Sequence, residues 1–211
     1  MIQGINHITS DGAFTVDNFE EFIYEGERLY EFFNMPLYGF IATKLFKRNI
    51  IEDGKIRFKE KIHFHEDNIF MLEYLAVVGR VKFVSGVNYF YRYEPSFLSF
   101  SYHSSEETYL YYSWFRKIIL LFNNKFDVLS HSYLNYSIAS IYMHVFINLY
   151  ENKVDYKDRV KIFKKYRTKE DLQYMSKYLR INNKRPISVL LFLYSWILFD
   201  IYSIIKLNFK K

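Results

Sequence analysis

The sequence predicts an α+β, helix-rich fold in which a mixed half, residues 1–105, precedes an all-helical half, residues 106–211. Half of the 211 residues are hydrophobic, which is enough apolar side chain for one sizeable domain or two small ones. Before residue 105, segments with helical spacing alternate with segments in which every second residue is apolar. After residue 105 only helical spacing occurs.

The elements of the first half follow from this spacing and from the breaker residues. Apolar positions recur with a helical period in residues 17–34, and that helix is expected to end before Pro36. Glycine closes the later segments, at Gly54 as a C-terminal cap and at Gly79. In chain order we expect a broken helix at 17–34, one or two short helices at 39–54, a strand at 55–64, a helix at 68–78, and a strand at 80–93. Gly86 within the last strand indicates either a bulge or a close approach of the backbone.

The second half reads as a C-terminal helical bundle with segments at 106–123, 132–151, 156–180 and 187–207. The last of these contains an apolar run, residues 187–205, in which Asp200 is the only charged residue. Lysine and arginine flank this run at positions 184, 185, 206, 210 and 211.

The length of the run 187–205 is close to the shortest that crosses a bilayer, about 20 residues. However, Ser188, Ser195, Ser203 and Lys206 fall on one side of a helix, and an aspartate inside lipid is costly. We therefore favour an amphipathic helix that either completes the helical core or makes a membrane-surface contact through residues 187–211, with a spanning helix as the third reading.

The overall charge suits an anionic partner. There are 29 Lys+Arg against 23 Asp+Glu, a net charge of +6, which fits phospholipid, nucleotide phosphate or nucleic acid. The basic residues are dispersed and no recognised motif accompanies them, so nucleic acid is not an expected partner. The absence of cysteine excludes a disulfide framework and a thiol nucleophile. The first residues carry no secretory signal pattern, and we expect a cytoplasmic location.

The stretch HFHEDNIF, residues 63–70, carries two adjacent carboxylates, Glu66 and Asp67, among aromatic residues. Acidic residues that open a helix complement its dipole and cap its amides, so a purely structural role is one reading. The other reading is acid–base chemistry, since a carboxylate bordered by Phe64 and Phe70 is partly desolvated and becomes a better base. His63 and His65 share a strand face, but no further ligand is identifiable, and we predict no metal site.

Several motifs stand in order along the first half: Lys44-Leu45-Phe46 with Arg48, Ile56 with Phe58, Glu66-Asp67 with Phe70, Tyr89 with Tyr91 and Arg92, and serines between 96 and 101. Together, over roughly residues 30–105, they resemble the second half of family 2 glycosyltransferases. These are inverting enzymes of the GT-A fold that build bacterial surface polysaccharides, a part of the cell envelope. The resemblance implies a partial GT-A fold, a small mixed sheet with helices, for residues 1–105.

The resemblance also implies residue roles. Asp67 stands where the family has its general base, and Glu66 beside it is an orienting or acceptor-binding group. Lys44, Arg48, His65 and Arg92 are the further substrate-binding candidates. A sugar hydroxyl is a poor nucleophile, so a carboxylate within hydrogen-bond reach has to take its proton. Arg92 lies in an aromatic strand and needs a partner once buried; we expect it to pair with Glu66 or Asp67.

Two family features are missing from this sequence. No Asp-x-Asp triplet occurs, and the Val/Ile-rich nucleotide-binding half is not seen, so the chain resembles the acceptor side alone. The nucleotide-sugar and the divalent metal, Mg or Mn, that the family implies are not expected to be held by this chain. A truncated gene product, one half of a split enzyme, and a domain kept for binding all fit.

We therefore expect a glycosyltransferase-like protein that takes part in inverting transfer of a sugar from a nucleotide-sugar to a glycan or lipid-linked acceptor. Its partners would include the missing nucleotide-binding half, and it would lie peripherally on the inner face of the membrane. The alternative is a non-catalytic module that binds glycan or a partner. Both alternatives use the same residues, and they differ in whether Asp67 does chemistry.

Overall fold

The computed structural model describes residues 1–2, 5–8, 14–17, 20–26, 28–29, 31, 41–92, 103–126, 132–178 and 187–208. The chain forms two compact units. The first consists of Met1–Ser101 with Lys117–Val128, and the second of Tyr102–Arg116 with Leu129–Lys211. The predicted α+β, helix-rich class is confirmed. That the first unit is a partial GT-A fold stays a prediction.

The described strands all belong to the first unit: β1 (Ile5–Ile8), β2 (Phe14–Asp17), β3 (Phe22–Glu25), β4 (Arg80–Phe83) and β5 (Tyr89–Arg92). β1 pairs antiparallel with β2 and parallel with β5, which gives one sheet in the order β2-β1-β5. β3 and β4 form a separate antiparallel pair. Phe22 lies opposite Phe83 in this pair, and their rings stack with centroids 4.3 Å apart.

The helices that position the site are α1 (Arg48–Asp53) and α2 (Glu66–Val77), together with a 3-10 turn at Ile41–Thr43. They enclose a core of Ile56, Phe70 and Tyr74, and Phe46 packs edge-on against Tyr74 at 4.9 Å between ring centroids. The predicted cap at Gly54 is confirmed, since its amide donates to the Ile50 carbonyl at 3.0 Å. α2 begins two residues earlier than predicted, so both acidic residues lie in its first turn.

The predicted broken helix at 17–34 is wrong at residues 17 and 22–25, whereas residues 26, 28–29 and 31 have 3-10 helical conformation. Residues 22–25 form strand β3, and residues 32–34 lie outside the described residues. Phe22 and Tyr24 sit two apart and both contact Phe83, at 4.3 and 5.7 Å between ring centroids. Pairing with β4 therefore makes this segment a strand, with every second side chain on one face, although its apolar residues also fit a helical period.

The predicted strand at 55–64 is also wrong, because the segment is irregular, with turns at 55 and 60–61. Its burial pattern is partly right, since Ile56 and Ile62 are buried. The turns are closed by the bond from the Ile62 amide to the Lys59 carbonyl, 3.0 Å, and by an ion pair between Lys59 and Glu73, 2.7 Å. Alternating burial therefore arose here without a strand.

The predicted strand at 80–93 is two strands, β4 and β5, which belong to different sheets. Gly86 lies between them with φ of +107°, a backbone conformation that residues with a side chain rarely adopt. The glycine marks a change of direction and not a bulge within one strand.

The second unit is helical. It takes the first part of α3 (Ser105–Phe126), whose later part belongs to the first unit, and then α4 (Ser132–Glu151), α5 (Tyr156–Tyr166), α6 (Lys169–Tyr178), α7 (Ile187–Tyr194) and α8 (Trp196–Asn208). The predicted helix at 156–180 is two helices, since the Thr168 hydroxyl accepts from the Asp171 amide at 3.1 Å and caps a new start. The predicted helix at 187–207 is interrupted at Ser195.

Aromatic side chains fill the core of the second unit. Phe146, from α4, lies 4.9 Å from Phe163 and 4.7 Å from Phe192 between ring centroids, and Phe192 lies 5.2 Å from Phe199. These rings join α4, α5, α7 and α8, so much of the aromatic content of the chain is accounted for by packing. Within the ranges described, no helix has both the length and the apolarity needed to cross a bilayer.

Candidate functional site

The acidic pair lies at the start of α2. His65 precedes the helix in the left-handed conformation, with φ of +54° and ψ of +21°, which costs a residue with a side chain about 1 kcal/mol. Glu66 and Asp67 follow, both half-buried. One Asp67 carboxylate oxygen, Oδ1, accepts a hydrogen bond from the Asn68 amide at 2.7 Å. Asp67 therefore stabilises the start of α2 through Oδ1. Its second carboxylate oxygen, Oδ2, takes no part in that hydrogen bond.

The surroundings of Asp67 favour its neutral form. Burial raises the pKa of its carboxyl, and the neighbouring Glu66 charge raises it further. The hydrogen bond from the Asn68 amide and the charges of His65 and Lys44 act in the opposite direction, but burial prevails. A carboxylate whose pKa is raised in this way holds a proton more strongly than one in water, which suits a general base.

Lys44 is a buried cation whose charge acts on Asp67. It follows the 3-10 turn, which packs on α2, and its residue is only 8% exposed. Burial lowers the pKa of Lys44 from 10.5 to about 7, while the Asp67 charge raises it in part. Lys44 and Asp67 thus sense one another's charge, and each shifts toward its neutral form because water is excluded.

Two uncharged polar groups close to this pair are buried without a hydrogen bond in the structure. They are the hydroxyl oxygen of Thr43 and the side-chain carbonyl oxygen of Asn68. Thr43 belongs to the 3-10 turn and Asn68 to the first turn of α2, the two elements that carry Lys44 and Asp67. Buried polar atoms of this kind are uncommon, so this corner of the first unit is polar beyond what its packing requires.

A cavity of about 370 Å³ opens next to Lys44. Its walls are apolar at Ile50, Met71 and Tyr74, and the Tyr74 hydroxyl accepts from the Lys47 amide at 2.9 Å. Its basic lining residues are Lys44, Lys47, Arg80 and Lys82. Among the lining residues that the structure describes, none is acidic, although Lys82 also pairs with Glu21 at 3.4 Å. The cavity is therefore suited to an anion.

The structure brings together some of the predicted site residues. His65, Glu66 and Asp67 are consecutive at the start of α2, and the charge of Lys44 acts on Asp67. Of these four residues, only Lys44 lines the cavity. Arg48 begins α1 on the exposed surface and is not a lining residue of the cavity. Arg92 ends β5, and the predicted pairing of its side chain lies outside the described residues.

Sequence reasoning missed Arg80 and Lys82. Both lie on β4, where Val81 and Phe83 point into the core and the two basic residues point the other way. The alternation of basic and apolar residues in RVKF was the available signal, but it does not say which cavity the basic side meets.

No metal site is formed by the described part of the chain: nowhere in it do three histidine, aspartate or glutamate side chains gather. We assign no step to the divalent metal that the resemblance implies.

Replacing Lys44 by methionine should stabilise the first unit at pH 7 by roughly 1–3 kcal/mol, because a buried ammonium group is removed. The unfolded chain holds the Lys44 proton up to pH 10.5 and the folded chain only to about pH 7. The stability of the wild type therefore rises with pH across that window, and the advantage of Lys44→Met should shrink toward pH 10.

Amide hydrogen exchange in α2, measured at pH 7 and pH 9, reports the stability of the first unit by itself. Lys47→Met is the matched control, because Lys47 is exposed. An equal effect of both substitutions, or no change with pH, would contradict the burial of the Lys44 charge.

Comparisons with protein-family models, with curated proteins and with solved structures give no match to this chain.

Proposed function

We propose that the first unit is the acceptor-binding side of a sugar-transferring protein similar to family 2 glycosyltransferases, with Asp67 as the general base. The observation that carries this proposal is a half-buried carboxyl of raised pKa, Asp67, which senses the charge of the buried Lys44, while Lys44 itself lines a cavity with basic residues. The motifs around it, from Lys44 to Arg92, are the ones on which the resemblance rests.

The proposed chemistry is a single displacement. The acceptor hydroxyl gives its proton to Asp67 as its oxygen attacks the anomeric carbon of the donor sugar. The bond between that carbon and the nucleotide diphosphate breaks, and the diphosphate leaves with the electron pair. One displacement inverts the anomeric centre. Because burial raises the pKa of Asp67, the carboxylate is a stronger base than a solvated one when the proton moves.

The basic cavity supports a phosphate-bearing acceptor. Lys44 lines the cavity and its charge also acts on Asp67, which is not itself a lining residue, so the acceptor would extend from a phosphate held by Lys44, Lys47 and Arg80 toward the base. A glycan linked to a lipid through phosphate has this combination of an anionic group and a sugar hydroxyl. Such an acceptor is carried by a membrane, and we accordingly infer a location on the inner face of the membrane.

Sugar transfer is the test. The chain would be incubated with radiolabelled nucleotide-sugars, Mg²⁺ or Mn²⁺, and a short isoprenyl diphosphate-linked monosaccharide. Because no Asp-x-Asp triplet occurs in the sequence, polypeptides encoded beside this chain would be added as candidate donor-binding halves. Label on the acceptor, dependent on this chain and inverted at the anomeric carbon, is the expected result.

The second candidate is a module that holds a phosphorylated glycan or a partner in the same cavity without chemistry. The basic, acid-free lining favours it equally. Binding of the acceptor without transfer in any combination would support this candidate and overturn the first. Absence of both binding and transfer would overturn the two together.

A further inference from the structure

The last helix of the second unit, α8, turns aliphatic side chains outward. Ile197, Leu198, Ile201, Ile204 and Ile205 are between 40% and 51% exposed, and we name these five residues the aliphatic stripe. At 100° per residue they fall within an arc of roughly 120° on one side of the helix. Tyr194, which ends α7 just before α8, is 84% exposed.

The opposite side of α8 is partly polar and faces the unit. Asp200 is 5% exposed and accepts hydrogen bonds from Arg159 Nε at 2.8 Å and from the Tyr150 hydroxyl at 2.7 Å. Ser203 and Lys206 line a small cavity with Tyr150, which α4 contributes. The Asp200 charge, which argued against a spanning helix in the sequence, is therefore paired with Arg159 inside the unit.

This arrangement reverses the usual one. A surface helix of a globular protein turns its apolar stripe to the core and its polar side to water. On the inward side of α8, Phe199 packs in the core and Asp200 forms an ion pair with Arg159. The aliphatic stripe therefore lies on the exposed side of the helix. Contiguous exposed apolar surface of this kind marks an interaction site.

We propose that the aliphatic stripe of α8 docks the second unit on an anionic membrane surface. The helix has 13 residues, about 20 Å, which is too short to span a bilayer but suits a helix that lies along the interface. In the sequence, basic residues precede α7 and α8 at positions 184 and 185 and follow α8 at positions 210 and 211. A surface of anionic headgroups complements this charge.

The composition of the stripe favours lipid over a protein partner. Its five members are isoleucine or leucine and have no hydrogen-bonding group. Protein interfaces depend on tyrosine, tryptophan and arginine anchors that fill matching pockets. An acyl boundary accepts aliphatic side chains without matched shape. This inference rests on the second unit alone and does not depend on the proposed sugar transfer.

Sedimentation with vesicles tests the proposal. The chain is mixed with vesicles of phosphatidylcholine containing one quarter phosphatidylglycerol, and with vesicles of phosphatidylcholine alone. We expect stronger binding to the anionic vesicles, weakened by salt as the charges are screened. The double substitution Ile201→Glu with Ile205→Glu should lower binding at least about tenfold, because two charges would enter the acyl boundary.

The matched control is the double substitution Val77→Glu with Leu121→Glu. These aliphatic residues also lie on helices, and they are 56% and 51% exposed against 50% for both Ile201 and Ile205. The control makes the same change in net charge elsewhere, so it should keep the binding of the wild type.

Three results would overturn the proposal. The wild type fails to sediment with either kind of vesicle; or both double variants lose binding equally; or light scattering shows a dimer of the wild type that only the Ile201 and Ile205 variant disrupts, without vesicle binding. The last result would identify a second copy of the chain as the occupant of the stripe.

Discussion

Asp67→Asn is expected to abolish sugar transfer almost completely, with a loss of about 10²–10⁴-fold in rate, the range that a general base contributes. An asparagine keeps the shape of the side chain and an oxygen that accepts from the Asn68 amide, the bond that Asp67 makes at the start of α2. It cannot take a proton from the acceptor. Because burial raises the pKa of Asp67, the loss of its charge should leave the stability of the first unit equal or higher near pH 7.

A loss of transfer rate without a loss of stability in Asp67→Asn would indicate that Asp67 acts in catalysis. A loss of stability would indicate that it serves mainly to stabilise the start of α2. The rate with the wild type should rise with pH as Asp67 loses its proton, and this limb of the pH profile should vanish in the variant. Asp53→Asn is the control: it makes the same chemical change at an exposed residue of α1 and should keep the wild-type rate. Equal rates for wild type and Asp67→Asn would remove the catalytic assignment.

Asp171→Ala is expected to lower the free energy of unfolding of the second unit by about 3–5 kcal/mol. The Asp171 residue is 2% exposed and accepts from the Tyr112 hydroxyl at 2.5 Å and from Arg116 Nη1 at 2.7 Å. Alanine would leave the guanidinium, whose side chain is 16% exposed, without its buried counter-ion. It would also leave the Tyr112 hydroxyl without an acceptor.

The chain offers a matched control and a local probe for this experiment. Glu170 also pairs with Arg116, at 2.8 Å, but its side chain is 77% exposed, so Glu170→Ala should cost about 0–1 kcal/mol. Both tryptophans, Trp114 and Trp196, belong to the second unit, so their fluorescence during urea unfolding reports that unit. Equal costs for the two substitutions would mean that burial does not strengthen the Asp171 pair.

The sequence was most informative where local and tertiary preferences agree. The helix of residues 132–151 was predicted with the bounds it has, and Gly54 ends α1 as expected. The sequence was least informative where pairing with a segment distant in the chain determines the secondary structure. Residues 22–25 follow a helical pattern by themselves, and only pairing with Arg80–Phe83 makes them a strand. Thr168 interrupts a helical pattern because its hydroxyl is positioned to cap Asp171, which periodicity does not show.

The candidate site shows the same division. The acidic pair, the helix that it opens and the burial of Asp67 could be predicted from HFHEDNIF and its aromatic neighbours. The burial of Lys44 and the contribution of Arg80 and Lys82 to one cavity could not. They depend on how the 3-10 turn packs on α2 and on which side of β4 faces the cavity, and both are tertiary facts.

The central claim is that Asp67 is a base at an acceptor site, and nuclear magnetic resonance of its side-chain carboxyl tests this most directly in the chain by itself. The account predicts that the Asp67 carboxyl titrates with a midpoint above pH about 3.9, the usual value for aspartate. It also predicts that the Asp67 carboxyl resonance shifts when the isoprenyl diphosphate-linked monosaccharide is added. Asp53 should keep its resonance in the same titration. An Asp67 carboxyl that titrates as in water and does not respond to the acceptor at saturating concentration would contradict the account.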